Sequence, residues 1–338
     1  MIIFKKEHGV KLIVDCILNL ESYDLRKAGA LAQLLSKGKV TQFEKPLITL
    51  ICEQYGLNET PDHAIAAISA KIDGLDVGDA YWFRANPVHL ILQRDSFSLA
   101  EPFPLQVACE HADDMIVSLN QHFNQDGLVF MIGHSGTWYL RVAQFQKIKT
   151  NLPEIVVGKN IHQFLPRGED ASKWLAVLNE VQMLLHEHPA NIARESLGEV
   201  AVNSIWLSGG GVMPQVADLQ GDKPTLVADD IFYQGLASWA DFPLQALPKQ
   251  FDVILQKYSL QKPVKHLRLS LPSTYNLNGQ SLDEAWFDPI LAALKIKKIK
   301  ELRLNLGFYE KTLSVDIQPL DTYKFWRSLK PAMDYLND

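Results

Sequence analysis

Apolar residues recur every three or four positions in three stretches near the start of the chain, the spacing that one face of an α-helix requires. These stretches are residues 25–35, 47–55 and 64–72. The first is followed by Gly38, a residue suited to a helix C-terminal cap. The third follows Thr60-Pro61, a cap residue and then a proline at the first helical position. Residues 11–14 form an apolar run that predicts a strand ahead of these helices.

Beyond residue 79 the pattern changes to short apolar runs and alternating stretches, which predict strands. The predicted strands are residues 81–92, 128–132, 137–142, 204–207, 225–228, 267–271, 302–306 and 313–317. Helical patterns at residues 105–123 and 170–185 lie among them, and the last two strands are close enough to form a hairpin. Interleaved strands and helices predict an α/β or α+β fold with a mixed sheet.

The composition is that of an ordinary globular protein: of 338 residues, 47% are hydrophobic and 21% are charged. A chain of this length usually forms more than one domain or lobe. The formal charge of -6 provides no attraction to nucleic acid or anionic membranes, so neither is expected as a partner. The first residues lack the basic and apolar regions of a signal peptide, and no apolar run approaches the ~20 residues that span a bilayer. The protein is therefore expected to be soluble and cytoplasmic.

The cysteines Cys16, Cys52 and Cys109 are far apart and show no metal-binding or redox spacing. They are expected to be small buried hydrophobes in a reducing compartment. Tryptophans in periodic apolar stretches are also expected in the core: Trp82, Trp138, Trp174 and Trp206.

Two segments invite a catalytic interpretation that their spacing does not support. Gly133-His-Ser-Gly136 has Thr137 where a nucleophile elbow has its second glycine, so a tight turn between strands is expected. His186 and His188 point to different faces of a helix, whereas paired helical metal ligands lie four residues apart. A helix-end role, in which the ring interacts with the helix dipole, is expected instead.

Two further polar segments follow predicted strands. Asp229 and Asp230 are expected to cap the helix after them rather than bind a metal. Ser208-Gly-Gly-Gly211 matches neither the dinucleotide-binding nor the P-loop pattern. Its backbone N–H groups can face an anion, or its glycines can form a turn after the strand where two backbones pack closely, and the sequence leaves both alternatives open.

The segment from His188 to Pro214 resembles a block of the archaeal-type cofactor-independent phosphoglycerate mutases. That block contains His-Pro-x-Asn, an arginine, an asparagine ahead of a strand, and a glycine turn that ends in proline. The matching residues here are His188, Pro189, Asn191, Arg194, Asn203, Gly209, Gly211 and Pro214. Upstream, Arg84-Ala-Asn86 resembles an Arg-x-Asn element of the same enzymes, and Arg94-Asp95 lies where they have an acidic–basic pair.

The chain is also similar to a bacterial offshoot described as RpfE-type regulatory proteins. Residues 85–90, 179–183 and 203–206 carry this similarity. The resemblance implies an α/β fold with a degenerate alkaline-phosphatase-like core, a mixed sheet and an inserted second α+β lobe. It places residues 1–78 and 200–338 in a discontinuous core lobe and residues 79–199 in the inserted lobe.

Mutases of this superfamily hold two divalent metals with Asp and His residues, and a serine attacks the phosphate. The metals activate the nucleophile and clamp the attacking and leaving oxygens. Here Asp15-Cys16 follows the first predicted strand where the enzymes have Asp-Gly, and after His188 the chain contains one more histidine, His266. Because the chain departs from the enzymes' ligand pattern at these places, we expect no catalytic residues, no cofactor and no metal site. Mn or Zn is expected only if the chain uses an unrecognised ligand set.

The substrate side of such a site is better represented, because arginine and asparagine are suitable donors to phosphate or carboxylate. We expect an anion-binding site that comprises Arg84, Asn86, Arg94, Asn191, Arg194, Asn203, Gly209 and Gly211. The alternative is that the arginines hold the two lobes together through carboxylates such as Asp95.

The leading hypothesis is a catalytically degenerate mutase-like protein with a regulatory or scaffolding role, which binds a phosphorylated or carboxylated metabolite or a protein partner. One alternative is an active metal-dependent phosphoglycerate mutase or phosphohydrolase with a non-standard site. Another is a protein-interaction module without a ligand. The sequence does not specify the oligomeric state.

Overall fold

The structure, a computed structural model, describes residues 9–18, 29–94, 96–100, 105–156, 158–216, 223–260, 265–272, 281–308 and 310–337. Its backbone contacts divide the chain into two compact units. Unit 1 comprises Met1–Ile51 and Leu219–Asp338, and unit 2 comprises Cys52–Asp218.

The strands and helices follow in chain order. The strands are β1 Val10–Ile17, β2 Lys39–Phe43, β3 Tyr81–Val88, β4 Leu90–Leu92, β5 Phe97–Leu99, β6 Leu128–Ile132, β7 Trp138–Val142, β8 Ile148–Lys149, β9 Arg167–Gly168, β10 Ser204–Gly211, β11 Thr225–Val227, β12 Leu244–Gln245, β13 His266–Leu271, β14 Ile299–Phe308 and β15 Lys311–Ile317. The α-helices are α1 Ala30–Lys37, α2 Leu47–Gln54, α3 Ile65–Ile72, α4 Cys109–His122, α5 Ala171–His186, α6 Pro189–Ser196, α7 Ile231–Ala240, α8 Phe251–Leu260, α9 Asp288–Lys295 and α10 Asp334–Asn337.

Unit 1 is built on a seven-stranded mixed sheet with the strand order β12-β11-β13-β1-β14-β15-β2. The strands from β12 to β14 run parallel, and β15 and β2 complete the sheet in antiparallel pairs. Leu12, Val14 and Cys16 of β1 are buried in a core with apolar residues of β13, β14, α1 and α9. Because side chains alternate along a strand, Ile13 and Asp15 lie on the other face of this sheet.

Unit 2 contains a four-stranded antiparallel sheet with the order β10-β3-β7-β6. Tyr81 and Phe83 of β3 share a core with residues of α4 and α5. Trp82, which lies between them and points the other way, packs with Tyr139 and the alanines of α3. Helices therefore cover both faces of this sheet, and the unit also contains the hairpin β4-β5 and the antiparallel pair β8-β9.

Most of the predicted elements are present. β1, β13 and the hairpin of β14 and β15 form at the predicted apolar and alternating stretches, and the mixed sheet that joins them confirms the predicted fold class. α1 occupies the second part of its predicted stretch and is followed by Gly38 as its cap residue, while residues 25–28 lie outside the described residues.

Two local predictions were wrong. α3 begins at Ile65 after Ala64, so Thr60-Pro61 does not start this helix. β10 continues from Ser204 through Gly211, so the glycines lie in a strand and not in a turn after it. Pairing with β3 stabilises this strand despite the low strand propensity of glycine, and the register shifts between Ser208 and Gly211.

The limits of the two units differ from those of the expected lobes. Residues 52–78 and 200–218 were expected in the core lobe, but they lie in unit 2. They do so because α3 packs against β3 and β10. The apolar spacing of α3 is the same whichever sheet it covers, so the sequence pattern could not assign this helix to a unit.

The four tryptophans expected in the core are all buried, as are Cys16 and Cys52. Cys109 is exposed at the first turn of α4, which corrects the expectation that it is buried. Within the described part of the chain, no helix is both long enough and apolar enough to span a bilayer.

Candidate functional site

Three neighbouring parallel strands of unit 1 carry polar residues towards their carboxyl ends. Asp15 of β1 lies in register with Ser270 of β13 on one side and with Asn305 of β14 on the other. In open α/β sheets, ligands usually bind at the carboxyl ends of parallel strands. This part of the sheet is therefore a candidate position for a site.

The carboxylate of Asp15, which is 1% exposed, accepts hydrogen bonds from three side chains. Arg268 Nε donates to Oδ2 at 2.5 Å and Arg268 Nη2 to Oδ1 at 3.2 Å. Tyr233 Oη donates to Oδ2 at 3.1 Å, and Asn305 Nδ2 donates to Oδ1 at 2.7 Å. We call these four residues the Asp15 cluster.

The partners of Asp15 are themselves held in place. Burial, and then the negative charge of Asp15, raises the pKa of Tyr233 well above its ordinary value, so the hydroxyl remains a neutral donor. Ser314 Oγ donates to Asn305 Oδ1 at 2.8 Å, which orients the Asn305 amide with its nitrogen towards Asp15. The guanidinium of Arg268 is 1% exposed and balances the buried carboxylate charge.

The Asp15 cluster does not fit a divalent metal. Such an ion needs free lone pairs on several carboxylate, imidazole or thiolate groups. Each oxygen of Asp15 already accepts two hydrogen bonds, and Arg268 places a positive charge beside them. Among the described residues, no three His, Cys, Asp or Glu side chains come together as a metal site requires.

The two aspartates after β11 serve the backbone of unit 1. Asp230 Oδ1 accepts from the N–H groups of Phe232 and Tyr233 at 2.9 Å and 3.2 Å, which confirms the predicted cap of α7. Asp229 does not cap this helix with its side chain, because its Oδ1 accepts from the N–H of Leu247 at 2.9 Å.

Three residues that the sequence assigned to an anion site bind the backbone of unit 2 instead. Asn191 Nδ2 donates to the carbonyls of Leu185 and Val202, and its Oδ1 accepts from the N–H of Val202, all at 2.8 Å. Asn203 forms the same kind of pair with Leu90, at 2.7 Å and 2.9 Å.

Arg194 is the third of these residues and is 2% exposed. Its Nε and Nη2 donate to the carbonyl of Val200 at 3.0 Å and 2.9 Å, and Nη2 also donates to the carbonyl of Gln106 at 3.1 Å. Its Nη1 lies 2.9 Å from Glu199 Oε2. The guanidinium thus joins α6, the loop after it and the segment before α4.

Arg84 and Asn86 lie half-buried on one face of β3. Arg84 Nη2 donates to Ser69 Oγ at 2.7 Å, and its Nε is buried without a hydrogen-bond partner among the described residues. Ser208 lies opposite Arg84 in the strand register, and its Oγ is likewise buried without such a partner. Arg94 is exposed after β4, and Asp95 lies outside the described residues.

Two backbone N–H groups of Ser208 to Gly211, the glycine segment, donate hydrogen bonds to side chains of unit 2. The N–H of Gly209 donates to Thr150 Oγ1 at 3.0 Å, and that of Gly210 donates to Asp62 Oδ2 at 3.4 Å. Asp62 also accepts from the N–H and hydroxyl of Thr150 and from the N–H of His63. Burial raises the pKa of Asp62, and these hydrogen bonds oppose that effect. The glycine segment therefore faces Thr150 and the acidic side chain of Asp62, which take up its N–H groups.

The sequence pattern gives no indication of the contacts of Asp62-His63. The pair precedes α3, and an acidic residue near a helix start is too common to indicate a special contact. Its main partner, Thr150, is 88 residues away in the chain. No spacing rule could connect the two.

Gly209 also allows β10 to lie close to α3. It has a φ of +64°, and a Cβ there would lie 2.9 Å from the Cβ of Ile65. Gly136, in the turn between β6 and β7, has a φ of +82° but nothing within 4 Å of a Cβ. An alanine at either position would therefore have a strained backbone, but only at position 209 would its Cβ also clash with a neighbouring residue.

We expect Gly209→Ala to lower the free energy of unfolding by about 1–3 kcal/mol more than Gly136→Ala, because only the first forces a helix away from a strand. Urea unfolding of both variants, followed by circular dichroism, measures the difference. Equal losses in the two variants would show that β10 and α3 are not in tight contact.

The two histidines near the end of α5 have different roles. His186 is the last residue of α5, as predicted. His188 is instead the N-cap of α6: its Nδ1 accepts from the N–H of Ala190 at 3.2 Å, and its Nε2 lies 2.9 Å from Ser118 Oγ. A ring that accepts at Nδ1 is neutral and carries its proton on Nε2. Burial lowers the pKa of His188 accordingly.

This pKa shift predicts a loss of stability in acid. A lowered folded pKa means that the stabilisation is present above the unfolded value of about 6.5 and is lost as the pH falls through the lower folded value. His188→Asn keeps a capping oxygen but does not titrate. As the pH is lowered below about 6.5, we expect the urea concentration at the midpoint of unfolding to decrease more steeply in the wild type than in this variant. The same pH dependence in both proteins would contradict the capping role.

Gly133 to Gly136 forms the tight turn predicted between β6 and β7. Ser135 Oγ and its N–H both donate to the carboxylate of Asp73 at 2.6 Å, and Tyr139 Oη donates to the same carboxylate at 3.0 Å. Ser135 thus connects the turn to the end of α3 through hydrogen bonds, and its hydroxyl is a structural donor and not a nucleophile.

No protein-family model matches the chain. Over 155 residues it is 27% identical to a probable 2,3-bisphosphoglycerate-independent phosphoglycerate mutase from Geobacter sulfurreducens, which covers 44% of this chain and 38% of that protein. Over 110 residues it is 32% identical to a 2,3-bisphosphoglycerate-independent phosphoglycerate mutase from Methanothrix thermoacetophila, which covers 32% of this chain and 28% of that protein. Part of this chain is related to phosphoglycerate mutases. The matches span less than half the length of these relatives.

Solved structures give a weaker likeness over more of the chain. A cofactor-independent phosphoglycerate mutase from Thermoplasma acidophilum is 16% identical with a TM-score of 0.42, over 92% of this chain and 90% of that one. A protein from Pyrococcus horikoshii is 15% identical with a TM-score of 0.47, over 92% and 88%. The mutase-like relationship therefore rests on the sequence matches.

Proposed function

We propose that this chain is a catalytically degenerate phosphoglycerate mutase-like protein with a regulatory or scaffolding role. The observation that carries the proposal is the state of Asp15, the acid near the carboxyl end of the central parallel strand. Its oxygens bind Arg268, Tyr233 and Asn305, and its charge is balanced by the guanidinium. A metal ligand at this point would have to give up these bonds and sit beside a buried cation.

Phosphoryl transfer by the two-metal route needs several acids and imidazoles around one point. Among the described residues, Asp229 and Asp230 bind backbone N–H groups of unit 1, and Asp62 holds the glycine segment of unit 2. The chemistry of the donor set therefore favours a structural role for each acid.

Ligand binding is proposed at Arg84, with Asn86 beside it on the same strand. Arg84 keeps a buried Nε without a protein partner among the described residues, and Ser208 opposite it has a similarly placed hydroxyl. Such donors suit the phosphate or carboxylate of a small metabolite. Arg194, Asn191 and Asn203 are left out of this proposal because their polar groups are used by the backbone.

The proposal of lost catalysis is tested by metal content and turnover. We expect purified protein to carry less than one equivalent of transition metal by plasma mass spectrometry. We also expect no interconversion of the phosphoglycerate isomers with added Mn, Zn, Mg or Co. Metal-dependent turnover that Asp15→Asn abolishes would overturn the proposal in favour of an active mutase or phosphohydrolase with a non-standard site.

The proposal of retained ligand binding is tested separately by thermal shift. Phosphoglycerate at millimolar concentration is expected to raise the melting temperature of the wild type, since a native-state ligand stabilises by mass action. Arg84→Ala should remove the shift, and the exposed Arg94→Ala should keep it. An unchanged melting curve in all three proteins would leave a protein-interaction module without this ligand.

A further inference from the structure

Helix α5 presents two different stripes to the rest of unit 2. Trp174, Val177, Val181 and Leu185 enter the main core. A second stripe lines a groove beside β10 and the hairpin β4-β5. Its members are Leu175, Leu178, Asn179, Gln182, Met183 and His186. Their spacing of three and four residues places them along one side of the helix.

The groove has an inner apolar part and a more open mouth. The inner cavity has a volume of about 130 Å³ and is lined chiefly by apolar side chains, including Leu175 and Trp206. The mouth has a volume of about 570 Å³. Leu90 and Phe97 of the hairpin line both parts, so the two volumes adjoin. Ligand pockets in proteins commonly combine an apolar cavity of this kind with a few polar groups at one end.

The polar groups that line the groove are amides, a hydroxyl and an imidazole. Asn179, Gln182, His186 and Asn203 lie at the mouth. Gln182 Nε2 reaches Ser204 Oγ only at 3.5 Å, so its amide has hydrogen-bonding capacity left. No Lys, Arg, Asp or Glu of the described residues lines either part. Among these lining residues a charged ligand would find no Lys, Arg, Asp or Glu as a counter-charge, and burying its charge would be costly.

We propose that this groove binds an uncharged small molecule that carries one apolar ring and an amide or hydroxyl group. An apolar protein cavity of roughly 150 Å³ accepts benzene, so the inner cavity suits a ring of about six heavy atoms. The amides of Asn179 and Gln182 can then donate to and accept from the polar group at the mouth. The ligand class differs from that proposed at Arg84, where the donors suit an anion.

Three probes with the same ring and different charge test this assignment: phenylacetamide, phenylacetate and phenethylamine. We expect saturation-transfer difference NMR on the full chain to show millimolar binding of phenylacetamide. Phenylacetate and phenethylamine should bind at least about tenfold more weakly, because their charge is not compensated in the groove.

Variants of α5 locate the binding. Leu175→Trp should abolish binding by filling the inner cavity, and Asn179→Ala, an exposed position that leaves the core intact, should weaken it several-fold. Ala176→Trp is the matched control, because Ala176 is exposed on the same helix and does not line the groove. The assignment is overturned if phenylacetamide does not bind at millimolar concentration, if phenylacetate binds as tightly, or if Asn179→Ala and Leu175→Trp bind as the control does. None of these results depends on the mutase-like proposal, since the groove contains no residue of the Asp15 cluster and not Arg84.

Discussion

Arg268→Met is expected to lower the free energy of unfolding by about 3–5 kcal/mol, the range seen when one partner of a buried ion pair is removed. Methionine replaces the aliphatic stem of arginine and has no charge. The variant therefore leaves the Asp15 carboxylate, 1% exposed, without its counter-charge and without two of its four hydrogen bonds. Guanidinium unfolding followed by circular dichroism measures the loss.

Strand β14, on the other side of β1 from β13, offers a matched control for Arg268. Arg303 on β14 also binds an aspartate through Nε and Nη2, at 2.7 Å and 3.0 Å from Asp316, but the two side chains are 48% and 49% exposed. Arg303→Met should therefore cost less than about 1 kcal/mol. Adding Asp15→Leu to Arg268→Met should recover part of the loss, because the uncompensated charge is removed. Similar losses in the two arginine variants would contradict the assignment of Arg268 as a buried counter-ion.

Arg194→Met is expected to lower the free energy of unfolding by about 2–4 kcal/mol, because the buried guanidinium and its hydrogen bonds to the carbonyls of Val200 and Gln106 are lost. The loss should be smaller than for Arg268, since the carboxylate left behind, Glu199, is 45% exposed and can be solvated. Denaturant unfolding again provides the measurement, with the exposed Arg94→Met as the control.

The same variant separates a structural role from a ligand role. If Arg194 were part of an anion site, Arg194→Met would reduce the thermal shift caused by phosphoglycerate while changing stability little. We expect the opposite: a lower melting temperature without ligand and an undiminished shift with it. A stable protein that has lost only its ligand response would restore Arg194 to the proposed anion site.

The candidate site could be predicted only in outline. The resemblance to phosphoglycerate mutases predicted that Arg84, Asn191, Arg194 and Asn203 bind an anion. Three of the four, Asn191, Arg194 and Asn203, instead form hydrogen bonds to the backbone of unit 2. Their residue types are equally suited to bind a phosphate or a carbonyl oxygen. The sequence does not show which acceptor lies within reach, so the choice between ligand and backbone required the fold.

What the sequence determined by itself was local and periodic. Alternating apolar residues specified β13, β14 and β15, because each strand buries one apolar face. Asp230 specified the start of α7, since its side chain reaches backbone N–H groups two and three residues away. These outcomes depend on neighbours along the chain, which a pattern can show.

The tertiary structure alone decided how the buried charges are satisfied. Asp15 and Arg268 are 253 positions apart, and the contact between Asp62 and Thr150 joins residues 88 positions apart. A buried carboxylate must be neutralised or hydrogen-bonded by whatever the fold brings beside it, and no local spacing identifies that group. For this reason the sequence could show Asp15 only as the residue after a predicted strand. The fold showed that it lies in β1, that its partners are an arginine, a tyrosine and an asparagine, and that its oxygens are already occupied.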